Sequence, residues 1–268
     1  DRYEIFSAVV AAHVNCIPIA HIHGGEITQG VIDDSFRHGI TKMSNLHFVA
    51  ADEYRKRVIQ LGEHPDTVFK VGALGVENIK KRVLLDKEKL ESDLDFVFGE
   101  KNLLVTFHPL SLDKNSTKKQ ILELLGALKF FENIHLIFTM PNADTNFKFV
   151  VDFIKDFCKE RINATYHKSL GQNKYFSCLK YVDGVIGNSS SGIIEVPSFK
   201  KGTINVGERQ EGRLKSKSII DCKPYKDEII KAIAKLYSLD FKKVLEKSKN
   251  PYGEGEASKL IIEIIKDL

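Results

Sequence analysis

The sequence has little of what marks several common classes of protein. Its apolar runs are short, and none is long enough to cross a bilayer as a helix. Its four cysteines are widely scattered and form no Cys-x-x-Cys pair, which favours reduced thiols over a disulfide framework or a zinc site. It also lacks a basic cluster with interleaved aromatic residues. We therefore expect a cytoplasmic protein that binds neither membranes nor nucleic acid.

The composition is that of an ordinary globular protein. The chain has 268 residues, of which 43% are hydrophobic and 28% are charged, and this length suffices for two α/β domains or one large one. The net charge of +4 favours an anionic ligand only slightly, because a solvated lysine-rich surface explains it equally well.

Short β-branched or apolar runs alternate with amphipathic stretches along the chain. The apolar runs predict strands at residues 17–21, 46–50, 68–71, 103–107, 135–139, 164–167, 184–186, 203–206 and 218–221. The amphipathic stretches predict helices at residues 35–44, 53–61, 118–131, 147–159, 174–179 and 192–198. Strands separated by helices are typical of parallel sheets, so the alternation predicts an α/β fold.

The pattern changes at residues 72–99, which are charged and helical in character and contain no convincing strand. We interpret this segment as the crossing between two domains, at residues 1–75 and 76–250. The remaining residues, 251–268, contain a terminal helix that begins near Ala257. Its apolar stripe needs a partner surface, which a return to the first domain would supply; the stripe consists of Leu260, Ile261, Ile264 and Ile265.

The densest polar cluster runs from His21 to Glu26, in the sequence His-Ile-His-Gly-Gly-Glu. Side chains two apart on a strand face the same way, so we expect His21 and His23 to point together. Two such imidazoles can share a divalent ion, but no second strand offers further ligands, and no metal site is expected. The two glycines permit a tight turn at a strand end, where ligands of open α/β sheets gather.

Two aspartates, Asp33 and Asp34, follow at the start of a predicted helix, where free N–H groups favour a carboxylate. Asp33 lies four residues before Arg37 and Asp34 four before His38, which suits local ion pairs. Two interpretations remain open: a helix cap with surface ion pairs, or proton donors and acceptors around a polar pocket.

A run of small residues from Gly187 to Gly192 follows a predicted strand and precedes a short helix. Its N–H groups and hydroxyls, including Asn188, Ser189 and Ser190, suit phosphate oxygens, and Glu195 one turn later suits a ribose diol. A serine-rich turn that only caps the helix is the alternative.

Three further polar residues follow strands of the same half. His108 ends one strand, and Arg209 and Arg213 follow another. An arginine near a diphosphate supplies fixed planar donors, so these strand ends together suit a nucleotide.

Several of these motifs, in this order, resemble the hydrolysing branch of the UDP-N-acetylglucosamine 2-epimerase family, which serves bacterial sialic-acid and legionaminic-acid synthesis. The resemblance covers essentially the whole chain. It is carried by Asp1-Arg2-Tyr3-Glu4, His21–Glu26, Ile32–His38 with Ile40-Thr41-Lys42, Gly187–Gly192, Asn205–Arg213 and Asn250-Pro251-Tyr252-Gly253.

The resemblance implies two Rossmann-like domains of GT-B-type architecture, with the nucleotide mainly on the C-terminal domain and the last helix crossing back. It also implies that the N-terminal domain is incomplete in this chain, because the family's domain opens with about half a Rossmann unit before Asp1. Family members commonly form homodimers or homotetramers.

The resemblance further implies that UDP-N-acetylglucosamine loses its C2 proton and UDP, and that water then adds to give N-acetylmannosamine. No cofactor is expected. Asp1 and Asp33 match acid–base carboxylates, and His108 matches a histidine near the diphosphate. His23 stands where the family carries a glutamate, and nearby Glu26 could take over that role. The residues expected to bind the substrate are Arg2, Arg37, Asn188, Ser189, Ser190, Glu195, Arg209 and Arg213.

Three alternatives keep parts of this interpretation. The substrate could be UDP-2,4-diacetamido-2,4,6-trideoxyglucose, on the legionaminic-acid route. A glycosyltransferase of the same fold would replace water with a sugar acceptor. A fragment that binds UDP without catalysis is the third.

Overall fold

The computed structural model describes residues 3–28, 33–109, 114–141 and 147–267. The chain divides into two compact units. The first unit comprises Asp1–Lys81, Glu211–Leu214 and Asn250–Leu268, and the second comprises Arg82–Gln210 and Lys215–Lys249. The chain thus enters the second unit after Lys81, whereas the sequence predicts the domain boundary at residue 75.

Helices and strands alternate along both units. The helices are α1 (Tyr3–Val14), α2 (Asp33–Met43), α3 (Asp52–Gln60), α4 (Leu74–Lys81), α5 (Lys87–Leu94), α6 (Lys114–Lys129), α7 (Phe147–Lys159), α8 (Gly171–Tyr181), α9 (Ser190–Ile194), α10 (Lys226–Leu236), α11 (Leu239–Lys247) and α12 (Ala257–Asp267). The strands are β1 (Ala20–Ile22), β2 (Leu46–Val49), β3 (Val68–Lys70), β4 (Lys101–Thr106), β5 (Ile134–Thr139), β6 (Ala164–His167), β7 (Gly184–Gly187), β8 (Gly202–Val206) and β9 (Ile219–Cys222). Each strand predicted from the sequence is confirmed.

The strand β1 is the one whose position shifts, since it spans Ala20–Ile22 where the pattern predicts residues 17–21. The chain leaves α1 through Cys16, whose φ of 55° lies in the left-handed region, so residues just after it do not extend a strand. The amide of Ile19 then donates to the Asn45 side chain at 2.9 Å instead of to a neighbouring strand.

Both sheets are parallel. The first unit carries a three-stranded sheet in the order β1-β2-β3, and the second a six-stranded sheet in the order β6-β5-β4-β7-β8-β9. Its central strands are buried on both faces, as parallel strands covered by helices require. Their side chains form the core with α6, α7 and α10; Leu103, Phe138, Ile186 and Ile204 are among those fully buried.

The order of the second sheet reverses between β4 and β7, because the chain moves outward from β4 to β6 and then returns to β7. Such a switch point leaves a crevice at the carboxyl ends of the two strands. Gly187 ends β7 there with a φ of 144°, and a Cβ atom on it would lie 1.8 Å from the Thr106 carbonyl oxygen. Only glycine lets the two strand ends approach this closely.

The terminal helix α12 packs within the first unit. Ala257 and Ile261 are buried against Phe48 and Val71, with Ile264 beside them. The predicted apolar stripe is therefore only partly correct, since Leu260 is 37% exposed and Ile265 50% exposed. Within the described ranges, no helix combines the length and the apolar character needed to span a membrane.

A buried carboxylate fixes the start of α12. Glu77 of α4 accepts hydrogen bonds from the Ser258 amide at 2.6 Å and from the Ser258 hydroxyl, and it pairs with Lys81. These bonds from Lys81 and Ser258 lower the pKa of Glu77 to about 2. The carboxylate thus satisfies a free N–H group at a helix N-terminus, where negative charge is favourable.

We expect Glu77→Gln to lower the free energy of unfolding at pH 7 by about 1–3 kcal/mol, because charge-assisted hydrogen bonds to α12 are lost. The pKa of Glu77 is lower in the folded protein, so this contribution is complete above pH 4.5 and disappears as the pH falls toward 2. Urea unfolding of both proteins across this range measures it. Glu246→Gln, at an exposed position on α11, is the matched control; a loss independent of pH would contradict the assignment.

Candidate functional site

The second unit contains a pocket of 1210 Å³ at the carboxyl ends of β4 to β7. It contains the switch point and is large enough for a nucleotide-sized ligand. Its lining residues are Thr106, His108, Thr139, Met140, Pro141, Val151, Lys155, Tyr166, Lys168, Ser169, Leu170, Gly171, Gln172, Tyr175, Phe176, Ser189, Ser191 and Glu195.

Asn188 joins the two strand ends at this switch point. Its side chain accepts a hydrogen bond from the His108 amide at 2.7 Å and donates one to the His108 carbonyl at 2.8 Å. The Asn188 carbonyl in turn accepts from Arg209 at 3.0 Å and from Gln210 at 2.9 Å. Asn188 is fully buried, so its side chain positions the turn. A direct contact between Asn188 and the substrate, expected from its place in the serine-rich turn, stays a prediction.

His108 lies beside Arg209 and lines the pocket. Burial, and then the positive charge of Arg209, lower the pKa of His108 to about 4. The imidazole is therefore neutral near pH 7, with one nitrogen as donor and the other as acceptor.

The serine-rich turn presents groups that its own helix does not use. Ser189 is the N-cap residue of α9, but its side chain makes no capping hydrogen bond. The alternative in which this turn serves only as a cap is therefore not favoured. Ser190 begins α9 and, like Ser189, is partly exposed.

A chain of three side chains lies one turn further on. Tyr175 and Ser191 are 2.6 Å apart between hydroxyl oxygens, and the Ser191 hydroxyl donates to Glu195 Oε2 at 2.5 Å. Burial raises the pKa of Glu195 above its ordinary value, and the bond from Ser191 opposes part of that effect. Ser191 belongs to the Gly187–Gly192 motif, but the sequence assigns it no role, and no motif marks Tyr175.

The first unit contains a second cluster, centred on Glu26. The Glu26 side chain is 6% exposed and lies 3.0 Å from His23 Nδ1 and 2.5 Å from Arg213 Nη1. Its backbone carbonyl accepts from Arg37 at 2.9 Å. Burial raises the pKa of Glu26, but the hydrogen bond from His23 and the charge of Arg213 outweigh it, and the pKa lies below its usual value. Glu26 is thus ionised near neutral pH.

The alternation predicts that His21 and His23 lie on one strand and point the same way. In the structure, only His21 belongs to the strand. β1 ends at Ile22, and His23 has a φ of 66°, in the left-handed region. His21 is buried, with Nδ1 3.2 Å from the Thr41 hydroxyl, and burial followed by the effect of His47 lowers its pKa to about 3. Within the described part of the chain, no group of three His, Cys, Asp or Glu is arranged to hold a metal ion.

The paired aspartates of α2 have different partners. Asp34 accepts from the Thr28 amide at 3.0 Å and from Arg37 at 2.7 Å, and it lies 3.5 Å from His38 Nε2. The spacing predicts the His38 pair correctly. It also pairs Asp33 with Arg37, on which Asp33 acts through its charge while the hydrogen bond of Arg37 goes to Asp34. No residue described by the structure makes a hydrogen bond to the Asp33 carboxylate.

Arg213 belongs to the first unit, whereas Arg209 belongs to the second. The sequence interpretation that both follow β8 into the same half is therefore wrong for Arg213, whose guanidinium pairs with Glu26 and donates to Thr28 at 3.0 Å. The neighbouring Leu214 is held at its amide by the Tyr54 hydroxyl at 3.1 Å and at its carbonyl by the Tyr252 hydroxyl at 3.0 Å.

Two hydroxyls thus hold the backbone next to Arg213, and they lie 2.7 Å from each other. The sequence does not mark Thr28, Tyr54 or Tyr252 as parts of the cluster around Glu26. Tyr252 stands in the Asn-Pro-Tyr-Gly motif, but the motif gives it no such role. The predicted site residues Asp1 and Arg2 lie outside the described residues.

We expect Asn188→Ala to lower both thermal stability and UDP affinity. Removing the side chain leaves the buried amide and carbonyl of His108 without partners, which costs about 1–3 kcal/mol for each group. Thermal unfolding and titration calorimetry with UDP measure the two effects. Asn133→Ala, at an exposed position just before β5, is the control and should change neither. Unchanged UDP affinity in the folded Asn188 variant would contradict a role for this turn.

Comparisons with known proteins agree with this architecture. A family model described as UDP-N-acetylglucosamine 2-epimerase matches residues 1–266. The chain is 45% identical over 268 residues to polysialic acid biosynthesis protein P7 of Escherichia coli, covering all of this chain and 68% of that protein. It is 42% identical over 243 residues to GDP/UDP-N,N'-diacetylbacillosamine 2-epimerase (hydrolyzing) of Campylobacter jejuni, covering 90% of this chain and 63% of that protein.

The fold matches that of a solved UDP-GlcNAc 2-epimerase from Neisseria meningitidis bound to UDP-GlcNAc. The TM-score is 0.84 at 17% identity, over 98% of this chain and 73% of the other. The predicted fold class, α/β with two Rossmann-like domains, is confirmed. The chain spans about two thirds of the length of the two curated relatives. It belongs to the UDP-N-acetylglucosamine 2-epimerase family, which includes hydrolysing 2-epimerases.

Proposed function

We propose that this protein is a hydrolysing UDP-N-acetylglucosamine 2-epimerase, which converts UDP-N-acetylglucosamine and water into N-acetylmannosamine and UDP. Removal of the C2 proton expels UDP and leaves a C1=C2 double bond, and water then adds with inverted configuration at C2. The main support is the Asp33 carboxylate, which carries no hydrogen bond within the described residues while its neighbour Asp34 takes the structural bonds. A carboxylate that accepts no hydrogen bond within the described residues, and whose charge acts on the neighbouring Arg37, suits a general base.

The second unit supplies the groups for the nucleotide in this proposal. Ser189 and Ser190 offer hydroxyls and the amides of the first turn of α9 to phosphate oxygens. His108, neutral at pH 7 because its pKa lies at about 4, donates one hydrogen bond to the diphosphate. Glu195 accepts hydrogen bonds from the ribose hydroxyls, with Ser191 and Tyr175 holding its position.

The first unit supplies the proton chemistry. Asp33, with Asp1 as the second carboxylate that the family motif marks, removes hydrogen from a carbon that nothing else activates. Arg37 is hydrogen-bonded to Asp34, to Thr28 and to the Glu26 carbonyl, so in this proposal it holds the α2 end of the cluster in place.

A second candidate substrate is UDP-2,4-diacetamido-2,4,6-trideoxyglucose. It is favoured by one specific observation, the 42% identity to a relative named as a diacetylbacillosamine 2-epimerase. The chemistry at C1 and C2 is the same for both sugars. They differ at C4, where an acetamido group replaces the hydroxyl, and at C6, which is a methyl group in place of a hydroxymethyl group.

The deciding experiment is NMR of the reaction in heavy water, with each UDP-sugar in turn. We expect UDP-N-acetylglucosamine to yield UDP and N-acetylmannosamine with deuterium at C2, because the proton removed there is replaced from solvent. Turnover of the diacetamido sugar alone would select the second candidate. Release of the unepimerised sugar without deuterium would contradict the elimination, and so would transfer to an acceptor sugar.

We expect Asp33→Asn to lower kcat by about 10²–10⁴-fold, the usual contribution of a general base, with the Kd for UDP changed less than about threefold. Steady-state kinetics and calorimetry with UDP measure the two quantities. Asp227→Asn, at an exposed position in the first turn of α10, is the matched control. Equal losses of turnover, UDP affinity and thermal stability would make Asp33 a structural cap instead.

A further inference from the structure

A buried glutamate, Glu26, lies directly beside the partly exposed imidazole of His23. His23 Nδ1 is 3.0 Å from Glu26 Oε1. The His23 side chain is 33% exposed and the Glu26 side chain 6%, so solvent reaches the imidazole far more than the carboxylate. This arrangement separates the group that a substrate can reach from the group that carries the negative charge.

Glu26 is poorly placed to exchange protons with a substrate itself. One carboxylate oxygen is occupied by His23, and the other accepts from Arg213 at 2.5 Å. Burial, the bond from His23 and the charge of Arg213 together leave the pKa of Glu26 below its usual value, so Glu26 stays ionised. An ionised carboxylate only accepts hydrogen bonds, so the proton between the two groups belongs to His23 Nδ1.

That proton determines the state of the other ring nitrogen. With Nδ1–H directed at Glu26, Nε2 is the nitrogen that can accept a proton when His23 is neutral. In the imidazolium, Nε2–H is the group that can donate one. A carboxylate that holds an imidazole in one tautomer and stabilises its charged form is a recurrent device for proton transfer.

The pair is held rigidly by its surroundings. His23 keeps a left-handed backbone, with its amide bonded to the Phe48 carbonyl at 2.9 Å. A Cβ atom on Gly25, at a φ of 79°, would lie 2.5 Å from the Tyr54 carbonyl oxygen, so the turn packs directly on α3. Strained, tightly packed backbone of this kind fixes the direction of a side chain. The other titratable or charged groups that act on the pair are His21, Arg37, Tyr54, Arg213 and Tyr252.

We propose that Glu26 is a positioning residue that holds His23 in the Nδ1–H tautomer, and that His23 Nε2 is the proton-transferring group of the hydration step. The inference rests on the proposed function. In that step Nε2–H of the imidazolium donates its proton to C2 as water bonds to C1, and Nε2 then takes a proton from the added water. The C2 proton removed earlier by the carboxylate base passes to solvent, so one proton is released per turnover.

The first test compares Glu26→Gln and Glu26→Asp with the wild-type protein, and Glu246→Gln serves as the exposed control. We expect Glu26→Gln to lower kcat by about 10²–10⁴-fold with KM changed less than about threefold, since an amide stabilises either tautomer but not the imidazolium. Glu26→Asp, which keeps the charge, restores part of kcat.

Parallel losses of kcat, substrate affinity and thermal stability in Glu26→Gln would overturn the proposal, because a merely structural glutamate would lower all three together. Unchanged kcat would do the same. If Glu26→Gln does not fold, the charge-conserving Glu26→Asp still decides: we expect a reduced kcat at an unchanged fold, and full wild-type kinetics would count against positioning.

The second test is independent of turnover. In protein labelled with ¹⁵N-histidine, the His23 signals are assigned by their absence in His23→Asn, with the exposed His13→Asn as control. We expect neutral His23 to show a protonated Nδ1, and a protonated Nε2 would overturn the pairing. If neither UDP-sugar is turned over, the proposed function fails, while this spectrum still tests the link between Glu26 and His23.

Discussion

The cluster in the first unit depends on one buried ion pair, Glu26 with Arg213. A carboxylate taken out of water requires compensating charge and hydrogen bonds, and removing one partner of such a pair commonly costs about 3–5 kcal/mol. This pair joins the loop after β1 to the short segment Glu211–Leu214. The chain on either side of this segment belongs to the second unit, whereas these residues belong to the first. The direction of His23 and the burial of Arg213 both follow from the ion pair.

The supports around this pair show how strongly the segment is fixed. The Tyr54 and Tyr252 hydroxyls hold the amide and the carbonyl of Leu214, and Thr28 bonds to Arg213. All of these are neutral groups, so they fix the position of the guanidinium without competing for its charge. Glu26 therefore keeps the full electrostatic effect of Arg213, and it remains an anion beneath His23.

Much of the fold follows from local sequence, because a strand buried between helices requires a short apolar run and a surface helix requires an amphipathic one. The runs that become β4 and β5 illustrate this. The return of Glu211–Leu214 to the first unit could not be predicted in this way. Those four residues have no periodicity, and what holds them there are hydroxyls and a carboxylate far away in sequence.

The residues of the candidate site also fall into two groups: those that local sequence predicts and those that only tertiary contacts determine. Residues that follow a strand end, such as His108 and Ser189, are predictable because the topology alone brings strand ends together. Which of Asp33 and Asp34 forms the structural hydrogen bonds is not predictable from the sequence, because adjacent residues on a helix point about 100° apart. The positions of Thr28 and Arg37 decide that it is Asp34. The pairing of Ser191 with Tyr175 is likewise tertiary.

In the proposed mechanism, an imidazole beside a buried carboxylate changes how protons are handled. A lone carboxylate must both carry the proton and supply the negative charge of the site. It loses that charge each time it takes a proton. Here the two tasks are divided, because Arg213 keeps Glu26 ionised while the partly exposed ring of His23 carries the proton. An acid of this kind can return to its protonated form without a change at the buried carboxylate. In this proposal, the positive charge of Arg213 acts on His23 through Glu26.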